Sequence, residues 1–290
     1  MSTNANAGVT VITSTIRTEH MRDLFENYAR QEWRVKELIV IVNDNGIAIG
    51  PYKELARQYA DVRVFRVDER RNLGACLNHA VARARYPYIA KFDDDDYYAP
   101  HYLDEAMLLF AKKKADVIGK RSCYFFFPHR SVLLLRKTTV KPYGRCRRIA
   151  GATIMFRKRV FKKVAFSTKV KAGSDVRFVQ ACMKQGFKVF TTSSYNFAAY
   201  RRANRKSHTW QVSEARLLAS KGAKIIRTAD FKPYVDRTLD LLPLPEGLAP
   251  QDSQGTNKAN GTNGASGMND VNGMIGANGL FGAFGMGPRR

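Results

Sequence analysis

Cysteine is scarce in this 290-residue chain: Cys76, Cys123, Cys146 and Cys182 stand far apart, with no CxxC pair and no Cys/His cluster at zinc-ligand spacing. That argues against a disulfide framework and a structural zinc site, and leaves four reduced thiols. Long apolar runs are also missing. Leu38–Val42 and Cys123–Phe127 end far short of the ~18 residues that span a bilayer, and no apolar segment with a cleavage site follows Met1. A cytoplasmic protein is therefore expected, rather than an integral membrane or classically secreted one. Acid is nearly absent from one stretch. Residues 112–171 carry 19 Lys and Arg and one acid, Asp116.

That stretch holds most of the net charge of +24, whereas residues 1–100 balance 14 bases with 14 acids. Clusters such as Arg145, Arg147 and Arg148, then Arg157, Lys158, Arg159, Lys162 and Lys163, suit a polyanionic partner. An anionic membrane surface touched peripherally, an acidic polymer, a diphosphate and nucleic acid all fit. A merely solvated face is the plain alternative. Past about Leu242 the composition changes: residues 251–290 contain ten Gly and six Asn without helical or strand period. A disordered tail over 243–290 is expected there.

The first hundred residues alternate strand-like and helix-like runs. Strands are expected at Val9–Ile12, Leu38–Val42, Val62–Val67 and Tyr88–Phe92, with helices at Arg17–Arg30, Pro51–Tyr59 and Leu73–Ala84. This β-α-β-α-β-α-β order predicts an α/β fold, a Rossmann-like, mainly parallel sheet flanked by helices. Such sheets bind ligands beyond the carboxyl ends of their strands. The polar residues expected there are Thr13, Ser14 and Thr15 after the first strand, Asn43 and Asp44 after the second, and Asp93 to Asp96 after the fourth.

Four consecutive carboxylates repel one another unless positive charge sits among them. A hard divalent cation, Mn2+ or Mg2+, would resolve the conflict, taking one or two carboxylate oxygens and the rest from water and phosphate. A bound ion would then clamp a substrate diphosphate. An acidic turn that caps a helix near His101 is the alternative, although one Asp suffices for a cap.

Val9–Ile12 with Thr13 to Thr15, Gln31-Glu32-Trp33, Glu37 to Asp44, Asn72-Leu73-Gly74 with Asn78, and Phe92 to Asp96 with Pro100 stand in one order over about residues 8–105. This series resembles the family 2 glycosyltransferases of GT-A fold. The resemblance implies a nucleotide-sugar donor, usually a UDP or dTDP sugar, a divalent metal and inversion at the anomeric carbon. It puts Thr13, Ser14 and Thr15 by the nucleoside, with Asp44 reading the base edge and Asn72 in the donor site. Asp95 matches the metal-binding acid, with Asp93 and Asp94 beside the donor sugar or ribose. Gly151 begins a small-residue segment that resembles the one lining the donor sugar. Residues 1–105 would form the donor half and 106–242 the acceptor half of one catalytic domain. Ser14 stands where proline is common in the family, and Asn43 replaces the first of two acids.

An inverting displacement needs a carboxylate to take the acceptor hydroxyl's proton. Asp175, in Gly173-Ser174-Asp175-Val176, is among few acids in the second half and resembles the family's catalytic base ahead of an acceptor-side helix. A structural N-cap is its alternative role. His208 resembles a late metal ligand used by some relatives. Nearby Trp210 suits a sugar face, and Arg201, Arg202, Arg205 and Lys206 suit a diphosphate. The leading expectation is a metal-dependent inverting glycosyltransferase acting on a saccharide, lipid-linked or anionic polymer acceptor. The alternatives are a nucleotidyltransferase, which usually opens with a Gly-rich loop lacking in Thr13–Arg17, and a polyanion binder. No compact nucleic-acid motif is recognisable.

Overall fold

Strand β1 (Val9–Thr15) buries every residue but Ser14. It runs on through Thr13, Ser14 and Thr15, which were expected beyond the strand end. Pairing explains the difference. β2 (Lys36–Val42) lies parallel to β1 in register as far as Thr15 opposite Val42, and threonine suits a pleated strand much as valine does. Helix α1 (Met21–Ala29) starts four residues later than Arg17. The Arg17 carbonyl accepts from the Tyr52 hydroxyl and the Arg17 N–H donates to Thr15 Oγ1, which holds this segment as a loop. α2 (Ile49–Ala56), β3 (Val62–Arg66), α3 (Leu73–Arg83) and β4 (Tyr88–Lys91) complete the expected alternation.

The computed structural model describes residues 7–204, 212–246 and 248, all within the unit of residues 1–250. Arg205, Lys206, His208, Trp210 and the segment 251–290 lie outside the described residues. After β4 come β5 (Tyr97–Tyr98), α4 (Tyr102–Lys112), β6 (Val117–Gly119), β7 (Cys123–Phe127), β8 (Val132–Arg136) and β9 (Met155–Arg157). The chain continues through α5 (Ser174–Lys184), β10 (Val189–Thr191), β11 (Phe197–Tyr200), α6 (Glu214–Leu218), β12 (Ala223–Arg227) and α7 (Lys232–Val235). Leu242 and Leu248 are both buried, so packed chain extends past the change in composition.

Two sheets result. The larger has the order β10-β6-β9-β4-β1-β2-β3, and β1 to β4 are parallel neighbours. The smaller has the order β12-β8-β7-β11-β5. Alternation across the pleat divides the larger sheet's side chains between two cores. Val9, Val11, Leu38 and Val40 enter one, while Ile12, Ile39 and Ile41 enter the other with Leu77 and Val81 of α3. The strand order reverses at β1, with β2 and β3 on one side and β4 on the other. A parallel sheet opens a crevice at such a switch point, beyond the carboxyl ends of the two flanking strands. The segments leaving β1 and β4 there are Ile16–Arg17 and Asp93–Asp96. Among the described residues, no helix is long and apolar enough to cross a membrane.

Candidate active site

The acidic turn after β4 is fixed by aromatic and amide side chains. Phe92 and Tyr98 stack with ring centroids 3.8 Å apart. The Tyr98 hydroxyl accepts from the Asp93 N–H at 2.8 Å and donates to the Ala152 carbonyl at 2.6 Å, which ties the turn to the segment around Gly151. Asn27 of α1 donates to the Asp96 carbonyl at 2.7 Å and accepts from the Tyr98 N–H at 3.1 Å. The Asp96 carboxylate accepts from the Tyr200 N–H at 3.0 Å. Burial, reinforced by the Asp95 and Asp93 charges, pushes Asp96 well above the usual carboxylate range.

The protein supplies its own positive charge to this turn. Arg17 pairs with Asp94 and reaches Asp95 Oδ2 at 3.1 Å. Thr15 donates to Asp94 at 2.6 Å. Arg202, just beyond β11, meets the same Asp95 Oδ2 at 3.2 Å. Lys91 pairs with Asp93. Repulsion among Asp93, Asp94 and Asp95 is thus relieved by three side-chain cations, so that repulsion does not by itself require a metal. No group of three or more His, Cys, Asp or Glu able to hold a metal ion occurs among the described residues. Asp95 nevertheless fits a hard cation of the substrate-bridging kind. Both guanidinium contacts fall on Oδ2, an ionised carboxylate has about four acceptor sites, and such ions need only one or two protein oxygens.

Asp175 and Gly151 meet across this floor. Gly173, with φ at +78°, is the N-cap of α5, and Asp175 lies in the first turn. Asp175 is therefore not the cap. A Cβ placed on Gly151 would stand 2.6 Å from Asp175 Oδ2 and 2.9 Å from its Cβ, so only glycine admits the carboxylate here. Lys91 Nζ lies 3.4 Å from Asp175 Oδ2 and donates to the Gly151 carbonyl at 3.3 Å. The other oxygen, Asp175 Oδ1, is buried with no hydrogen-bond partner. Burial raises the pKa of Asp175, with Lys91 drawing it back and Asp93 adding to the rise.

The remaining expected site residues have the following surroundings. Thr13 is buried with its hydroxyl unpartnered, and Ser14 bonds the Cys76 thiol. The Asp44 carboxylate accepts from the Gly46 and Ile47 N–H groups at 2.7 and 3.2 Å. Asn72 caps α3 by accepting from the Ala75 N–H, and its amide donates to the Val170 carbonyl at 2.9 Å. Asn72 thus joins the α3 terminus to the segment before α5. His208 lies outside the described residues.

Arg17 and Lys91 were missed from sequence. Lys91 carried a usable signal: a lysine inside the apolar strand Tyr88–Phe92 must be buried, and a buried lysine needs acids. Arg17 carried none, because its partners are 77 and 78 residues away. The basic stretch 112–171 also divides. Lys120 is buried against Glu105 at 3.0 Å, and Arg157 donates to the Ala115 and Phe110 carbonyls. Lys112, Lys113, Lys114 and Arg159 instead line, with Lys188 from beyond the stretch, a cavity of about 520 Å³. Its Arg157 wall pairs with Tyr88 at the start of β4, the opposite end of that strand from the acidic turn.

The sequence model described as glycosyl transferase family 2 matches residues 10–166, more than half of the chain. No curated protein matches. The fold resembles S. aureus TarS 1-349 in complex with UDP-GlcNAc, at 14% identity and TM-score 0.54, over 71% of this chain and 61% of that one. It also resembles the mannosyltransferase PcManGT from Pyrobaculum calidifontis in complex with GDP-Man and Mn2+, at 19% identity and TM-score 0.53, over 72% of this chain and 61% of that one. The chain thus spans about 60% of the length of these solved structures, and at such identities the likeness speaks for the fold. Both folds are of GT-A type, as the resemblance of the motif series over residues 8–105 implied. With the family match running from β1 through β9 to Phe166, the chain belongs to glycosyl transferase family 2.

Proposed function

We propose that the protein is an inverting glycosyltransferase that moves a sugar from a nucleotide sugar, of UDP type, to a hydroxyl of a saccharide, lipid-linked or anionic polymer acceptor. The observation that carries this reading is Asp175 Oδ1, a buried carboxylate oxygen with no partner, on a side chain joined through Lys91 to Asp93 of the acidic turn. Asp175 takes the acceptor hydroxyl's proton at Oδ1 as that oxygen attacks the anomeric carbon. The bond from that carbon to the diphosphate breaks, and the nucleoside diphosphate leaves with the electron pair. Arg17 and Arg202, planar cations that suit phosphoryl oxygens, flank the acid expected to face that group. Asp95 would hold Mn2+ or Mg2+, which when bound supplies charge neutralisation to the departing diphosphate.

Support for a bound metal and a nucleoside diphosphate comes from the complexes in which the structural relatives were solved, one with UDP-GlcNAc and one with GDP-Man and Mn2+. The test is thermal stabilisation by UDP plus Mn2+, expected in the native chain and lost in Asp95→Ala. A screen of nucleotide sugars for slow donor hydrolysis then identifies the donor. Asp175→Asn should lower turnover by about 10²–10⁴-fold, the usual contribution of a general base, while UDP still binds. Turnover that survives this change refutes Asp175 as the base.

The cationic cavity at the far end of β4 favours a second element of the reading, peripheral contact with an anionic membrane. Five exposed bases around a single acid that is already paired with Arg159 suit phosphate headgroups. Sedimentation with anionic vesicles should fall steeply as salt rises, and should weaken when Lys112, Lys113 and Lys114 are changed to Gln.

A further inference from the structure

Lys91 is 1% exposed and is buried against the acidic turn. Its ammonium has three N–H donors, and three acceptors surround it: Asp93 Oδ1, the Gly151 carbonyl at 3.3 Å and Asp175 Oδ2 at 3.4 Å. All three belong to segments expected to handle substrate. They come from β4's exit, from the loop before β9, and from the start of α5. Asp175 and Asp93 are 82 residues apart in the chain, and among the described residues Lys91 is the side chain paired with both. We propose that Lys91 is the positioning residue of the site, clamping Asp175 by Oδ2 against Asp93 and Gly151 so that Oδ1 is the one acceptor left for an incoming hydroxyl. This rests on the reading of Asp175 as the base.

The chemistry favours lysine over arginine at this point. A compact ammonium on a flexible stem can stand among three acceptors converging from different directions, whereas a planar guanidinium matches paired oxygens in one plane. The charge also matters. The groups facing Asp175 are Lys91 and Asp93. Burial raises the pKa of Asp175; Lys91 works against that rise and favours the ionised base, while Asp93 opposes ionisation and at the same time draws on Lys91. Burial by itself would lower the ammonium's pKa, but Asp175 and Asp93 more than offset that and hold it above the ordinary lysine range. Lys91 therefore stays charged wherever the enzyme is folded, and acts as a fixed countercharge and not as a proton carrier.

The two neighbours of Asp175 make opposite predictions, which a merely structural role would not. The full chain, labelled with ¹³C at the aspartate carboxyl carbons, is titrated as native protein, Lys91→Met, Asp93→Asn and Asp175→Asn, the last identifying the Asp175 resonance. UDP release from UDP-GlcNAc, used as the probe donor, is followed against pH in the same four proteins. Lys91→Met should move the Asp175 midpoint upward, and the acid limb of UDP release with it. Turnover should fall by about tenfold or more at neutral pH and recover as pH rises, since an opposite charge this close typically shifts a carboxylate by one to three pH units. Asp93→Asn should move the midpoint downward. An unmoved Asp175 resonance in folded Lys91→Met overturns the proposal. If Lys91→Met does not fold, Asp93→Asn decides alone: a downward shift supports the clamp, and an unmoved midpoint refutes it. UDP release that persists in Asp175→Asn overturns the base reading instead, and is distinguished by leaving both resonance shifts intact.

Discussion

Replacing Gly151 with alanine is a small change aimed at the geometry of the proposed base. A methyl on Gly151 would lie 2.6 Å from Asp175 Oδ2, 2.9 Å from its Cβ and 3.1 Å from its Cγ. The first contact alone would be relieved by turning the carboxylate. The Cβ contact cannot be, because Cβ is fixed to the backbone of α5, so the first turn of that helix must move or Gly151 must retreat. Van der Waals contact begins near 3.5 Å, which sets the displacement at several tenths of an ångström or more. Overpacking of this size costs about 1–3 kcal/mol in stability. Misplacement approaching 1 Å between a catalytic group and its target costs about 10²-fold in rate. The expected result is a folded protein with a modestly lowered midpoint in urea, unchanged stabilisation by UDP, and UDP release from a nucleotide sugar reduced about a hundredfold. Undiminished release would mean that Asp175 does not act where this geometry has it, and the mechanism would fail with it.

Gly74→Ala should also lose stability. Its added methyl would collide with the Ser167 backbone carbonyl, which cannot swing aside, so stability should fall by about 1–3 kcal/mol in denaturant. Gly173→Ala meets no atom within 4 Å and suffers only its φ of +78°, so a loss of about 1–2 kcal/mol is expected. Glu37 is fully buried and accepts from the Thr10 hydroxyl at 2.7 Å, the Arg85 N–H at 2.6 Å and the Arg63 and Arg85 guanidinium groups. Despite burial, which opposes ionisation, these bonds led by that from Thr10 hold its pKa below the usual glutamate value. Its stabilisation is therefore complete above the ordinary carboxylate range and is lost as pH falls through the lower folded value. Glu37→Gln should cost about 2 kcal/mol at neutral pH, and a urea titration should show the gap closing in acid. A gap that widens in acid would contradict the sign.

The alternation of elements was legible because β-branched runs such as Val9–Ile12 and Leu38–Val42 and amphipathic runs such as Met21–Tyr28 impose local periods of two and 3.6 residues. Those periods are properties of neighbouring residues and survive any tertiary arrangement. The acidic turn was equally plain, since four adjacent aspartates are visible without a fold. The end of β1 was not. Whether Thr13 to Thr15 continue a strand depends on how far β2 runs beside them, and that is a pairing between distant segments.

What neutralises the acids was likewise hidden. Asp94 and Asp95 meet Arg17 and Arg202 across 77 to 107 residues, and Lys91 joins Asp93 to Asp175 across the sheet. The sequence by itself determined the α/β order, the acidic turn and the identity of the one acid at the head of α5. Only the tertiary structure decided that these acids share a floor with three cations, that Gly151 lies against the proposed base, and that Lys112, Lys113, Lys114 and Arg159 of the basic stretch line a cavity at the far end of β4. The physical reason is that charges act through space: their partners are chosen by the packing of strands and not by position along the chain.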